Sequence, residues 1–285
     1  MKLAIISDIH GNQIALEAVL ADIKRVGVDQ IICLGDIANV GPHPGQCIDI
    51  IRDLNCPVLQ GNHELYLLGC FEDDAWRTSP IWAGMRWARE QLRPDQIDFI
   101  ANLPLRYEIE GNGRARATFV HASPLTQYRG FMPHHDDTAI AERMNGLDDT
   151  TLFCGHTHVP LYRPWSNSWL VNTGALGMPI DGTPTAKYVI ATQLQQEWHV
   201  QYRMIEYNLK QLMAEFEAVG LQEVGGKVTA VFRYQMLTGQ PLGNYFFDEM
   251  NRLIQNEKLP AEQALAQVRL PDLVMGWCNG GAVKR

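Results

Sequence analysis

The stretch KLAIISDIHGNQIALEAVLADIKRVGVDQIICLGD, residues 2–36, decides the fold. Leu3-Ala-Ile-Ile6 is a short, unbroken apolar run that stops at Ser7 and Asp8, the pattern of a strand buried on both faces. Asn12 then offers a helix N-cap; Leu16, Val19, Leu20 and Ile23 recur at helical spacing, and Gly27 ends the helix. Ile31 to Leu34 is a second apolar strand. Strand, helix and strand at this spacing predict a βαβ crossover and parallel pairing. The unit continues with a helix expected over residues 46–54 and a third strand over 56–60.

Outward from this start the pattern changes. Residues 71–116 are Trp-rich and helical, with Trp76, Trp82 and Trp87 and a helix over 95–103, an excursion from the sheet. Strands return at 117–120, 151–154, 169–171, 188–192 and 198–203, the last two as an antiparallel pair. Beyond Glu206 the spacing is helical again: Leu209, Leu212, Met213 and Phe216 share one face and Gly220 is a stop. No candidate functional residue falls in 208–285.

The 285 residues are 46% hydrophobic and 20% charged, a globular composition with material for a large core. Lys plus Arg number 24 against 32 acids, a net charge of −8, which does not favour a nucleic-acid polymer as partner. The six cysteines form no Cys-x-x-Cys pair and no regular framework, so they are expected as reduced thiols. The apolar N-terminal run meets Asp8 too soon for a signal peptide, and no stretch is long enough to span a membrane; a cytoplasmic location is expected.

Polar clusters follow the expected strand ends: Asp8-Ile-His10, Gly35-Asp36, Gly61-Asn-His-Glu64, His121 and Gly155-His-Thr-His158. That edge of an α/β sheet is where ligands bind. Residues i and i+2 of an extended segment share a side, which lets Asp8 meet His10, and His156 meet His158. Asp8, His10, Asp36, Asn62, His121, His156 and His158 make a nitrogen and oxygen ligand set with no thiolate, too many for one tetrahedral ion. The set suits two ions sharing Asp36, the arrangement that clamps the attacking and leaving oxygens of a phosphoryl displacement. Imidazole with carboxylate fits Mn, Fe, Zn, Ni or Co.

These blocks, SDIHGN, LGDIANVGP, GNHE, HASP and GHTH in that order, resemble the signature of the calcineurin-like metallophosphoesterases. The GP after the second block and Val171-Asn-Thr-Gly174 after the last are similar to the small bacterial phosphodiesterase branch. The resemblance implies an α/β fold, a four-layer α/β/β/α sandwich of two mixed sheets over residues 1–207, with 208–285 as a helical C-terminal extension. It implies one metal on Asp8, His10, Asp36 and His158, and a second on Asp36, Asn62, His121 and His156. His63 would then act as an acid or a charge stabiliser for the leaving oxygen, with Asp36 and Asn62 beside it in the catalytic set. The implied reaction is hydrolysis of a phosphomonoester or phosphodiester of a small soluble substrate by in-line attack of a metal-bridging hydroxide.

The chain departs from its relatives at three places. Glu64 stands where many carry an Asp that orients the adjacent imidazole, and one extra methylene is expected to relax that contact. Ala175 replaces a Ser, and Pro179-Ile180-Asp181 lacks an Arg that would fork a phosphate. Asn39 and Val40 replace a small turn and an aromatic residue, altering the pocket. Asn39 and Arg129 are the candidate substrate contacts. His134-His135-Asp136-Asp137 is assigned to a solvated loop feeding a helix, and the three tryptophans to packing rather than to a nucleobase. Rival readings are a nucleotide pyrophosphohydrolase acting on dinucleoside polyphosphates, a cyclic nucleotide phosphodiesterase, or a metal-binding scaffold without turnover, as in the retromer subunit that shares this fold.

Overall fold

The computed structural model describes residues 1–69, 74–111 and 115–278. Strand β1 (Lys2–Ile6) lies parallel to β2 (Gln30–Cys33), and the expected helix, α1 (Gln13–Val26), connects them. Asn12 caps α1 by accepting from Ala15 N, and Gly27, at φ +67°, closes it with its N–H on Ile23 O. On its other side β1 pairs antiparallel with β8 (Ala186–Leu194), itself paired with β9 (Glu197–Ile205), so the first sheet runs β2-β1-β8-β9. The second sheet contains β3 (Arg106–Ile109), β4 (Ala117–Val120), β5 (Thr151–Cys154), β6 (Leu161–Trp165) and β7 (Ser168–Asn172) in the order β3-β4-β5-β7-β6. Its three inner strands are parallel and its two outer ones antiparallel.

Strand alternation sorts the side chains into layers. Leu3, Ile5, Ile32, Phe119, Phe153, Val171 and Trp198 fill the space between the sheets. Ala4, Ile6 and Cys33 face the other way, against Leu16, Val19 and Ile23 of α1 and Ile48 and Ile51 of α2 (Pro44–Asp53). Across the molecule, Leu152, Cys154 and Leu170 pack on Ile140 and Met144 of α7 (Asp137–Met144). The architecture is the expected α/β sandwich of two mixed sheets.

Several local expectations need correction. Residues 56–60 do not form a third strand; one bridge joins Val58 to Cys33, and Gln60 N then turns away to Pro104 O at 2.9 Å. Pro57 has no N–H to extend the ladder. The excursion is not helical throughout. After α3 (Asn62–Gly69) it holds α4 (Asp74–Thr78), a 3₁₀ turn at Pro80–Trp82, α5 (Ala83–Glu90) and α6 (Pro94–Ala101), but ends in β3. β6 was not foreseen either, since Pro164 argues against a strand anywhere but at a sheet edge, where β6 lies.

The His-His-Asp-Asp run is the loop into α7, capped by Asp136 on Ala139 N. Trp76 and Trp82 stack at 4.9 Å and, with Trp87, pack on the core. Cys33, Cys47, Cys56, Cys154 and Cys278 are free thiols, and Cys70 lies outside the described residues. No helix among the described residues is long and apolar enough to cross a membrane.

The segment beyond β9 folds into α8 (Leu209–Ala218), α9 (Leu221–Thr238), α10 (Leu242–Asn256), α11 (Ala261–Gln267) and α12 (Asp272–Cys278). Leu212, Phe216, Leu221 and Met236 pack on Val40 and Met178 from the sheet edge, and His43 meets Glu215 at 2.6 Å. Buried Arg233 is held by Glu217 at 2.7 Å and lies 4.5 Å over the Trp277 ring.

Asp22 ties α1 to the first sheet, accepting from the Tyr188 hydroxyl at 2.7 Å and from Arg203 Nε at 3.0 Å, with Arg25 also bound. Burial would raise this carboxyl, but the Arg203, Tyr188 and Arg25 bonds win and hold it at about 2. Asp22→Asn is expected to cost about 2 kcal/mol at pH 7. A depressed folded pKa stabilises above the ordinary carboxyl value of about 4, and the benefit is lost as pH falls through about 2. Urea melts of parent and variant should therefore differ at pH 7 and converge near pH 2. Equal stability at pH 7 would show the cluster to be neutral.

Candidate metal centre

The clusters at the strand ends converge at the edge shared by both sheets. Asp8 and His10 leave β1, Asp36 leaves β2, His121 follows β4, His156 and His158 follow β5, and Asn62 and His63 open α3. Convergence of Asp8 with His10, and of His156 with His158, does not come from extended chain as expected. The backbone turns left-handed at all four residues, and at Asp36, Asn39 and Val40 as well. Such conformations cost roughly 1–3 kcal/mol each in a non-glycine residue and persist only where the surroundings impose them. Here the loops are laced together, Asp8 N to Gly35 O at 3.1 Å, His10 N to Asp36 O at 2.9 Å and Gly11 N to Ile37 O at 2.9 Å.

Two glycines explain their place in the motifs. A Cβ on Gly61 would stand 2.1 Å from Asp36 Oδ1, and one on Gly155 would stand 2.5 Å from Asp8 Oδ2. Only glycine lets both backbones pass that close to the carboxylates.

Ligand atoms of Asp8, His10, Asp36 and His158 lie within 4.8 Å of one another, as do those of Asp36, His121 and His156. Asp36 belongs to both groups. His158 Nε2 is 3.1 Å from His10 Nε2 and 3.3 Å from Asp8 Oδ1, and His121 Nε2 is 3.4 Å from Asp36 Oδ2. Asn62 Oδ1 stands 2.9 Å from both His121 Nε2 and His156 Nδ1. His158 Nδ1 donates to Met178 O at 2.8 Å and His121 Nδ1 to Leu34 O at 3.0 Å. Each bond puts a proton on the outer nitrogen and aims the inner one at the cluster, the outer contact of a metal-binding histidine. Fully buried His10 has no hydrogen-bond partner at Nδ1, and its Nε2 meets only other ligand atoms.

The electrostatics favour a cation. Burial would raise both carboxyls, but the facing imidazoles outweigh it, holding Asp8 at about 2, chiefly through His158, and Asp36 well below the carboxylate range, chiefly through His121. Burial pushes His10 down, and burial with His121 brings His156 to about 4. Asp36, against burial, lifts His121 to about 9, a proton that a bound metal would displace. Two ionised carboxylates in a buried space ringed by imidazole nitrogens fit divalent ions.

His63 stands beside the cluster, its backbone N–H on Asp36 Oδ1 at 2.9 Å and its ring 4.6 Å from that of His10. Asn39, the expected substrate contact, donates from Nδ2 to His63 Nδ1 at 3.0 Å, while its Oδ1 accepts from Val40 N at 2.7 Å. Because Val40 N fixes the amide's orientation, His63 carries its proton on Nε2. Asn39 also lines the cleft at His63. Glu64 directs its carboxylate to the backbone: fully buried, it accepts from Asp36 N, Ile37 N and Gly61 N, each at 2.8 Å. Burial and the Asp36 charge push its pKa up to about 7 against those bonds. Arg129 is exposed in a separate depression with Ser123, Thr126 and Glu142, apart from the clefts that His63 lines.

Besides Trp82, those clefts contain residues that the sequence did not single out. One, of about 210 Å³, is lined by Tyr66 and Trp82 and by Val228, Phe232 and Phe247 of α9 and α10; the other, of about 350 Å³, adds Gln235 and Asn244. An apolar stripe on a helix carries the same pattern whether it faces a core or a cavity.

Residues 1–195 match the family model described as the calcineurin-like phosphoesterase superfamily domain. A protein of Methanocaldococcus jannaschii described as uncharacterised is 33% identical over 227 residues, which span 73% of this chain and 88% of its own. A metallophosphoesterase structure from Sphaerobacter thermophilus is similar at a TM-score of 0.68 and 30% identity, covering 84% of this chain and 99% of its own. A hypothetical protein from Pyrococcus horikoshii OT3 shares the fold at a TM-score of 0.69 and 19% identity, over 84% of this chain and 98% of its own. By these matches the chain belongs to the calcineurin-like phosphoesterase superfamily.

Proposed function

We propose that the protein is a dinuclear metal-dependent phosphoesterase that hydrolyses a phosphomonoester or phosphodiester of a small soluble substrate. The observation that carries this reading is Asp36, whose single carboxylate belongs to two ligand groups at once. Asp8, His10, Asp36 and His158 would hold one ion, and Asp36, Asn62, His121 and His156 the other, with residues 1–207 as catalytic domain. When bound, such a pair supplies Lewis-acid charge to the phosphoryl oxygens and a nucleophilic water at neutral pH. Nitrogen with oxygen ligands admits Mn, Fe, Zn, Ni or Co and favours Mg least.

Burial holds the His63 imidazole below its ordinary pKa, so at neutral pH the ring is an uncharged Nε2–H donor. That supports charge stabilisation at the phosphoryl group or leaving oxygen rather than release of a proton from an imidazolium. His63→Ala is expected to keep metal content while lowering kcat about 10²-fold; loss of metal would make it a ligand. In Asn39→Asp the carboxylate would accept Nδ1–H instead, raising the imidazole pKa and moving the acid limb of the rate profile upward. An unchanged profile would show that Asn39 does not set the tautomer.

The clefts at His63, of about 210 and 350 Å³, suit a small substrate, and the net charge of −8 argues against a polyanion. Metal-stripped protein refilled separately with Mn, Ni, Zn, Fe and Mg, assayed on mono- and bis-nitrophenyl phosphate, tests the reading. Turnover of the diester supports a phosphodiesterase and turnover of the monoester a phosphatase. Silence with stoichiometric metal bound favours the scaffold.

A further inference from the structure

The two clefts meet at His63, and Phe232 and Phe247 of the C-terminal helices line both. On one side of those rings lies the cleft toward His156 and His158, with Gln235 and Asn244 as polar lining. On the other is a smaller chamber whose walls are Tyr66 from α3, Trp82 and Met85 from the excursion and Val228, Phe232 and Phe247 from α9 and α10. The polar groups of its floor, Asn39 and His63, are bonded to each other at 3.0 Å. The aromatic wall is fixed from behind: Trp82 stacks on Trp76 at 4.9 Å, and Tyr66 lies 5.3 Å from His63 and 6.0 Å from Trp82. Helix α9 is held against α5 where Gly84 faces Thr229, a Cβ there standing 3.0 Å from Thr229 Oγ1.

We infer that this chamber receives a planar aromatic substituent of the phosphoester, and that the C-terminal helices, through Val228, Phe232 and Phe247, set this specificity. The inference rests on the phosphoesterase reading above. Its chemistry follows from the walls: apolar side chains and ring faces offer an aromatic group dispersion and stacking, and among the described residues no charged side chain lines the chamber to hold a sugar or a phosphate. Its size agrees, since a dry apolar cavity of about 150 Å³ accepts benzene and this one is about 210 Å³. With phosphorus beside His63, one ester arm enters the chamber and the remaining oxygens face the polar cleft and the ligand cluster. An aryl alcohol and a nucleobase offer the same planar face.

The test begins without catalysis. 4-Fluorophenol, followed by ¹⁹F NMR, and adenosine, followed by saturation transfer, are titrated into metal-stripped protein, into Val228→Phe, which fills the chamber, and into Phe247→Ala, which removes a wall. Binding to the parent, weakened on the order of tenfold in both variants, is expected. Preference for the phenol assigns an aryl ester, and preference for adenosine a nucleotide. On refilled parent, kcat/KM for benzyl phosphate, whose leaving alcohol is about as basic as methanol, should exceed that for methyl phosphate by on the order of 10²-fold, a ratio that falls in Phe247→Ala. Absence of binding by either probe, or hydrolysis with equal kcat/KM for both esters, overturns the inference while leaving the phosphoesterase reading standing. Probe binding lost in the variants, with no ester hydrolysed under any metal, overturns the reading and keeps the chamber as an aromatic site.

Discussion

Asp36→Asn is expected to lower kcat by at least about 10³-fold and to empty the metal centre. Asp36 Oδ2 stands 3.4 Å from His121 Nε2 and 3.8 Å from His10 Nε2, so one oxygen faces the imidazoles of both ligand groups. Asparagine keeps the shape but removes the charge, leaving Asp8 as the ionised carboxylate of the cluster. The loss should be chemical, not structural. Asp36 sits at φ +53°, a left-handed conformation that asparagine tolerates as well as aspartate does. The contact from His63 N to Asp36 Oδ1 at 2.9 Å can also be accepted by an amide oxygen. Metal analysis, turnover and a thermal melt on one preparation check this. A folded variant that binds two ions and turns over at the parent rate would sink the shared-ligand model.

The contrast between what the sequence discloses and what it hides is physical. β1 was legible because Leu3 and Ile5 face one layer while Ala4 and Ile6 face another, so burial on both sides leaves an unbroken apolar run. β3 and β6 are short edge strands, one half-exposed and one containing Pro164, and neither leaves such a run. The ligand residues were legible as types, since Asp, His and Asn after successive strands have few structural uses in common. The backbone geometry of their convergence was not, because the left-handed turns at Asp8, His10, His156 and His158 are imposed by hydrogen bonds between loops distant in sequence. Asn39 drew notice as a pocket residue, yet its bond to His63 depends on a left-handed turn that a motif does not encode. The cleft walls from α9 and α10 were the least legible, because Val228, Phe232 and Phe247 look like core.

Glu64→Ala is expected to destabilise the protein by about 3–9 kcal/mol, from three backbone donors left buried at roughly 1–3 kcal/mol each. The three amides belong to both loops that carry Asp36 and Asn62, and one carboxylate clamps them with bonds of 2.8 Å. Glu64 Oε2 is the shared point, accepting from Asp36 N and Gly61 N together. Without it the approach of Gly61 to Asp36 has nothing to hold it, and the two ligands drift apart. Metal affinity should therefore fall with stability, although Glu64 is in neither ligand group. Glu64→Gln offers one acceptor oxygen and turns an NH₂ toward a donor, so an intermediate loss is expected. Glu64→Asp falls a methylene short of spanning both loops and should resemble alanine more than glutamine. For a chain of this size the alanine change corresponds to a Tm drop on the order of 10 °C, and urea unfolding with metal analysis checks both effects. An alanine variant within about 1 kcal/mol of the parent, with its metal retained, would mean that water satisfies the three amides, and that the loops hold their geometry without the carboxylate.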